Sequence, residues 1–422
     1  MQRSYVAELA APGHKVPVRA CVDEPTQPIW LFPSVGEYPV YGDFVYDMML
    51  ADERRMSRYT RAVRRFAPGR TVLDIGTGQD AVWALAAARA GARHVWAVEV
   101  IPKSGRIARK NIEQAGFADR ITVVEGLSTE VELPERVDMC VSEIIGTLGG
   151  SEGTGPVLRD ARERLVKPGG MFVPHRSATT AVALDLGSAT GGEPPGFPPA
   201  AFGFVEEIFA AVGRPFDLRV CLAGLQDVPE VRERSYLSGA VEVEPLEFNG
   251  ELRPEGVDTA ELTFTRPGSF SGLALGMRLW VAEDDVPIDS LFEWSNWTPV
   301  YAALSEEGLP VRPGDRFAFE FTTTMSDDGV HPTTRSPANC AVTAVRRCRC
   351  AGTRRTIQTV SASRSSIAGC SPKPETTSSP SCGTRPSGRV LSGEAKPHAG
   401  GPPRIRAERP LSFPYAGWGR RR

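Results

Sequence analysis

RTVLDIGTGQDAVWALAAARAGARHVWAVEV, the stretch from Arg70 to Val100, decides the fold. An apolar run, Thr71 to Ile75, ends in the turn Gly76-Thr77-Gly78. A helical segment follows, roughly Asp80 to Ala90, and a second apolar run finishes on Glu99. Strand, tight turn, helix and strand in that order make the opening βαβ unit of a nucleotide-type site. Charge narrows the nucleotide. Asp74 ends the first strand, against the place where a dinucleotide's pyrophosphate would lie. A carboxylate there repels phosphate but suits the cationic amino-acid end of S-adenosylmethionine. Glu99 is placed to accept hydrogen bonds from ribose hydroxyls, as an acid about 20 residues after the turn would. The full G-x-G-x-x-G fingerprint is absent, because Ala81 stands at its last glycine. A dinucleotide site and a purely structural βαβ unit are the alternatives.

Working outward, residues 1–36 read as an extended N-terminal arm with several prolines. From Tyr46 to Phe66 apolar and polar residues repeat at helical spacing, which predicts one amphipathic helix leading into the nucleotide domain. Beyond Glu99, helical segments alternate with strands at Ile121 to Glu125, Val137 to Ser142 and Met171 to Pro174, so residues 37–175 predict a doubly wound parallel sheet. The periodicity then changes. Between 176 and 333 come period-two runs such as VEVEPLEF, SGLALGMRLWV and RFAFEFTTT, with few helices between them. That pattern predicts an antiparallel β-barrel domain. From 334 to 422 the chain is Ser, Thr, Pro, Gly and Arg with few large apolar residues, a basic low-complexity tail expected to be disordered. Its abrupt onset suggests an extension standing in place of the β domain's own closing strand.

Charge divides along the same line. Residues 335–422 hold 17 Lys/Arg against 3 Asp/Glu, which leaves 32 basic and 48 acidic residues before them. An acidic body argues against a broad nucleic-acid face and permits cationic substrates. There is no charged-then-apolar leader and no long uncharged apolar run, so neither secretion nor membrane spanning is expected. Cys21, Cys140 and Cys221 are scattered through the body, which predicts a reduced, cytoplasmic protein. Cys348-Arg-Cys350 lacks the spacing and second half of a zinc site, so no metal is expected.

A second signal lies in the sequence SEIIGTLGGSEG after the strand Val137 to Ser142. Glu143 and Glu152 flank a short loop at the sheet edge where open α/β folds bind ligands. Two carboxylates on one loop can grip a planar guanidinium through parallel charge-assisted hydrogen bonds. A guanidinium stays protonated and its nitrogens are poor nucleophiles, so alignment in a water-poor pocket can supply much of the acceleration of methyl transfer. Ordinary surface charge is the bland alternative.

This arrangement resembles the protein arginine methyltransferases. Their "double-E" loop begins Ser-Glu and places its second glutamate nine residues after the first, the spacing of Glu143 and Glu152. Their Met-Leu-x-Asp-Glu-x-Arg pattern is similar to Met49-Leu50-Ala51-Asp52-Glu53-Arg54-Arg55. The resemblance implies catalytic roles for Glu143 and Glu152. It implies a donor site of Met49, Arg55, Asp74, Gly76, Gly78, Glu99 and Ser128, with Arg55 on the donor's carboxylate, Met49 at the sulfonium and Ser128 near the adenine. Ser295-Asn296-Trp297 looks like the family's Thr-His-Trp loop, and the resemblance implies acceptor contacts at Asp52, Asn296 and Trp297. Asn296 replaces the histidine, so the family's His–Asp pair with Asp52 is not reproduced. Gly191 to Val212 falls where the family inserts a dimerisation arm, which implies a homodimer. The implied reaction is methylation of a guanidino nitrogen of arginine in a protein, peptide or small molecule. The double-E loop lacks the family's usual aromatic, and its small residues suggest a roomier acceptor pocket. The aromatics Tyr38 and Tyr41 sit slightly out of the family register. Methylation of an amine or hydroxyl of a small metabolite, and a non-catalytic methyltransferase-like scaffold, are the competing readings.

Overall fold

Thr71–Ile75 forms a strand buried along its whole length, as a central strand covered on both faces must be. The structure is a computed structural model and describes residues 3–11, 13–22, 29–33, 43–212, 218–305, 307–325, 340–347 and 359–362. The chain divides into two units, Met1–Ser371 and Pro372–Arg422, and every described residue lies in the first.

The chain begins with strands β1 (Ser4–Ala11), β2 (His14–Cys21) and β3 (Trp30–Pro33), then helices α1 (Asp43–Ala51) and α2 (Glu53–Phe66). Where the sequence suggested an extended arm, β1 and β2 pair as an antiparallel hairpin, from Ser4 opposite Cys21 to Ala11 opposite His14. The hairpin buries Leu9 and Val18 against Phe197, Val205 and Phe209, a contact with residues far along the chain. The single helix expected from Tyr46 is also corrected, because Asp52 interrupts it. Asp52 adopts φ −75° and ψ 88°, and its carboxylate accepts the Arg55 N–H at 3.0 Å, so it N-caps α2. α2 buries Arg55, Tyr59, Ala62 and Val63. Its outward arginines pair across to the β domain, Arg54 with Glu293, Arg61 with Asp285 and Arg65 with Asp284. Exposed pairs of this kind add little stability, but three in a row fix how α2 lies on its neighbour.

The nucleotide domain continues with β4 (Thr71–Ile75), α3 (Val82–Arg89), β5 (His94–Glu99), α4 (Pro102–Gln114), β6 (Ile121–Glu125), β7 (Val137–Ser142), α5 (Thr154–Arg164) and β8 (Val166–Val173). Its five strands are parallel in the order β6-β5-β4-β7-β8. The chain runs outward from β4 to β6, then returns to β7 on the other flank of β4. The carboxyl ends of β4 and β7 therefore meet at a topological switch point, where such sheets bind ligands. Ile75 lies opposite Ser142, so the Gly76 turn and the Glu143 loop start side by side.

From β9 (Arg176–Leu184) the pairing becomes antiparallel. α6 (Leu186–Thr190), α7 (Pro199–Val212), β10 (Leu218–Cys221), α8 (Gly224–Asp227) and α9 (Pro229–Ser235) come next. β11 (Val241–Glu247), β12 (Gly256–Thr263), β13 (Gly268–Phe270), β14 (Gly272–Trp280), β15 (Ile288–Asp289), β16 (Val300–Ala303), β17 (Leu309–Val311) and β18 (Arg316–Thr323) follow. A seven-stranded sheet runs β11-β9-β14-β16-β10-β3 with β15 beside β14, and β12-β18 lead a second sheet. Phe264, Phe270, Phe317 and Phe319 meet in successive ring contacts of 4.8 to 5.9 Å inside this β-barrel domain, with Phe321 fully buried in the same core.

The expectation of an unpatterned tail from residue 334 does not extend to two segments. β19 (Cys340–Arg347) pairs with β18 over its whole length and β20 (Thr359–Ala362) pairs with β19. CAVTAVRR is rich in β-branched residues, and the unpaired edge of β18 offers it a template. The rest of the tail lies outside the described residues, as do Tyr38 and Tyr41. Among the described residues no helix is long and apolar enough to cross a membrane.

Candidate active site

The turn after β4 is set by its glycines. Gly78 takes φ +65°, and a Cβ there would stand 3.1 Å from the Tyr46 ring, so only glycine admits both the backbone and the close approach of α1. Gly76 takes φ +74° and lies against Ile144 of the neighbouring loop. Glu99, at the end of β5, is buried, and its two oxygens accept the N–H groups of Gly78 and Ile101, each at 2.8 Å. Each carboxylate oxygen has further lone pairs, so Glu99 can still accept hydroxyl donors. Burial pushes its carboxyl above the usual range.

Asp74 lies one layer deeper than the sequence reading suggested. It has no solvent-accessible surface, and its Oδ2 accepts Thr77 Oγ1 at 2.7 Å and the Ala84 N–H at 3.0 Å. It thus ties the turn to the first residues of α3. Its Oδ1 is buried without a hydrogen-bond partner among the described residues. Burial raises its carboxyl to about 7; the Thr77 and Ala84 bonds oppose this and Glu99 adds to it. The sign of the pH effect follows. The carboxyl is protonated in both folded and unfolded chains below about 4, and the unfolded chain releases the proton first as pH rises. Stability therefore falls between about pH 4 and 7, by about 4 kcal/mol if the whole shift is expressed. Asp74→Asn should flatten that part of the pH–stability curve measured by urea unfolding. An unchanged slope would show that Asp74 titrates normally.

Arg55 reaches from α2 into the space between the turn and the loop. Nη1 donates to the Met49 carbonyl at 3.0 Å, Nη2 donates to Glu143 Oε2, and the guanidinium lies 5.7 Å over the Trp297 ring. Arg55 and Glu143 form a buried ion pair, their side chains 6% and 8% exposed. Met49 contributes its carbonyl to this arrangement. A guanidinium has five N–H donors, so Arg55 can hold Glu143 and a ligand carboxylate together.

The Glu143–Glu152 loop is held at both ends. Leu148 and Gly150 carbonyls accept from Ser151 and Gly153 N–H groups at 2.9 and 3.1 Å, and the Thr154 hydroxyl donates to the Ile144 carbonyl, drawing the loop's ends together. Trp297 Nε1 donates to the Ile145 carbonyl at 2.6 Å, so the Ser295–Trp297 loop braces the acidic loop from the barrel side. Asp52 is fully buried: Oδ1 caps Arg55, and Oδ2 accepts the Asn296 backbone N–H at 3.0 Å. Asn296 therefore orients Asp52 through its main chain, and its own Oδ1 is buried without a hydrogen-bond partner among the described residues. Ser128, in the loop after β6, is buried, and its carbonyl accepts from Arg164 at 2.9 Å.

The small residues of the loop sit close against the β domain. Residues 145–150 are all buried, and a Cβ on Gly150 would come within 2.7 Å of Glu244 Oε1. They are small because the loop packs directly on β9 and β11. Sequence reasoning missed the place of Tyr46 against the turn, and Thr179 and Glu244 altogether. The first could have been found as an aromatic one helical turn before Met49–Leu50; the other two carry no local signal.

A family model described as ribosomal protein L11 methyltransferase matches residues 60–173. An arginine N(omega)-methyltransferase from Streptomyces achromogenes subsp. streptozoticus is 44% identical over 288 residues, covering 64% of this chain and 73% of that protein. A probable histone-arginine methyltransferase CARM1 from Oryza sativa subsp. indica is 39% identical over 138 residues, 32% of this chain. The chain spans about a quarter of that relative's length, 26%. Among solved structures, Arabidopsis thaliana protein arginine methyltransferase 10 superposes with a TM-score of 0.57 at 18% identity, covering 75% of this chain and 97% of the other. A Trypanosoma brucei PRMT1 enzyme-prozyme heterotetrameric complex with AdoHcy gives 0.56 at the same identity and coverage.

Proposed function

This chain belongs to the protein arginine methyltransferase family, and on that premise we propose that it transfers a methyl group from S-adenosylmethionine to an ω-nitrogen of an arginine guanidino group. One observation carries the reading: two glutamates close a braced loop at the sheet's switch point, and Arg55 links the first of them to the donor side. The donor supplies a methyl group activated on a sulfonium. The residues present fit it, with a glycine turn at positive φ, Glu99 for the ribose hydroxyls and Arg55 for the carboxylate. Asp74 supports the site from beneath, tying the turn to α3 through Thr77 and Ala84.

The chain's own work is then binding and alignment. Glu143 and Glu152 accept N–H bonds from the planar guanidinium and hold one nitrogen in line with the methyl group. They also offset the positive charge that grows on the acceptor. One N–C bond would form as one S–C bond breaks, S-adenosylhomocysteine leaving as the neutral thioether, and the acceptor would release one proton to solvent. Trp297 and Asn296 are proposed to face the acceptor, a reading supported by their bonds to the acidic loop and to Asp52. Free arginine is the first acceptor to test, because the relative matched over most of its length is named for arginine rather than for a protein. We place the enzyme in a reducing, cytoplasmic compartment, supported by buried free thiols at Cys21, Cys140 and Cys221, and as a homodimer through Gly191 to Val212.

Radiolabelled donor with a panel of arginine, arginine peptides, amines and hydroxyl metabolites tests the reading. Label in the guanidino acceptors is expected. Label confined to amines or hydroxyls would move the enzyme to another acceptor class. No label, with no S-adenosylhomocysteine binding in calorimetry at millimolar concentration, would make the chain a scaffold.

A further inference from the structure

Glu244 is a buried carboxylate outside the clamp, and it sits in a strained position. It occupies a β-bulge of β11, where register with β9 shifts between Val243 and Pro245, and its φ is +49°. A non-glycine residue rarely adopts that conformation, which strains the backbone there. Burying a carboxylate costs more still, and an apolar residue would serve packing better. The bulge turns the side chain inward, under the acidic loop. Glu244 Oε2 accepts the Thr179 hydroxyl at 2.5 Å, Oε1 accepts the Thr323 hydroxyl at 3.1 Å, and the Glu244 N–H donates to Asp258 Oδ2 at 2.9 Å. Thr179 Oγ1 in turn accepts the Gly149 N–H at 3.1 Å.

We propose that Glu244 is a positioning residue that acts through the Thr179 hydroxyl to fix the Glu143–Glu152 loop. The proposal rests on the reading of that loop as the acceptor clamp. A hydroxyl has one proton; with that proton committed to Glu244, the Thr179 oxygen presents its lone pairs to the Gly149 N–H. Gly150 lies directly over Glu244 Oε1, so the same carboxylate sets how closely the loop seats on the barrel. The barrel thereby determines where Glu152, two residues on, is held.

Thr179→Val removes the relay at nearly constant shape, Thr179→Ser restores it, and Glu244→Gln removes the charge while keeping the side-chain length. Hydrogen exchange of the loop amides, read by mass spectrometry, tests positioning without reference to activity. Thr179→Val and Glu244→Gln should speed exchange at 146–152 by roughly tenfold, the effect of one lost hydrogen bond. They should lower kcat by about ten- to a hundredfold, the cost of a small misplacement of the clamp, while S-adenosylhomocysteine affinity stays close to wild type. Thr179→Ser should stay close to wild type in all three. Loop exchange and kcat unchanged within twofold in both loss variants would overturn the proposal. So would exchange that rises equally across β9 and β11, the mark of a merely structural residue. If wild type methylates no arginine acceptor, the functional reading fails while the exchange data still decide the positioning.

Discussion

Glu152→Gln is expected to lower kcat by two decades or more while S-adenosylhomocysteine binds within about twofold of wild type. Two decades correspond to about 2.7 kcal/mol, within reach of one charge-assisted hydrogen bond in a water-poor pocket, each worth about 1.5–3 kcal/mol before its transition-state role is counted. The amide keeps one acceptor oxygen but replaces the other with donors that oppose the guanidinium's own N–H groups. Glu143→Gln should cost turnover by as much. It should also lower stability, because Glu143 neutralises the buried Arg55. Stopped or slow turnover separates the two roles only if donor binding is measured beside it. Turnover within about threefold of wild type in both variants would remove the clamp from the mechanism.

The second large effect belongs to Arg55. Arg55→Ala strands Glu143 as a buried charge without its cation, which is expected to cost about 3–5 kcal/mol of stability. It also removes the group proposed to hold the donor's carboxylate, so donor affinity should fall on the order of a hundredfold. In the double variant Arg55→Ala/Glu143→Gln the stability loss should be smaller than in Arg55→Ala alone, because no buried charge is left. Donor affinity should not recover. Equal destabilisation in single and double variants would show that the ion pair is not what Arg55 contributes, and preserved donor affinity would place the carboxylate elsewhere.

What the sequence revealed is local. Thr71 to Glu99 declares itself because strand, glycine turn, helix and strand are contiguous, and each carries its own periodicity. The spacing of Glu143 and Glu152 is legible for the same reason. The break at Asp52 was hidden by an uninterrupted helical pattern, since a capping aspartate needs only one residue out of register. The N-terminal hairpin was hidden because its apolar side finds partners nearly two hundred residues away, at Phe197 to Phe209. The packing role of the loop glycines was also hidden: in the fold Gly149 and Gly150 lie against Ser177 and Glu244 of the β domain. Glu244 and Thr179 could not have been singled out at all, because a bulge and a cross-domain hydroxyl bond leave no trace in spacing.

The central claim is that a pair of acids presents a planar cation to an activated methyl group. Tandem mass spectrometry of arginine after incubation with enzyme and trideuteromethyl-labelled donor tests it most directly. The account predicts labelled arginine whose fragments carry the label on the guanidino group, and its loss in Glu152→Gln. Label on the α-amine, or undiminished guanidino labelling by the Glu152→Gln variant, would contradict it.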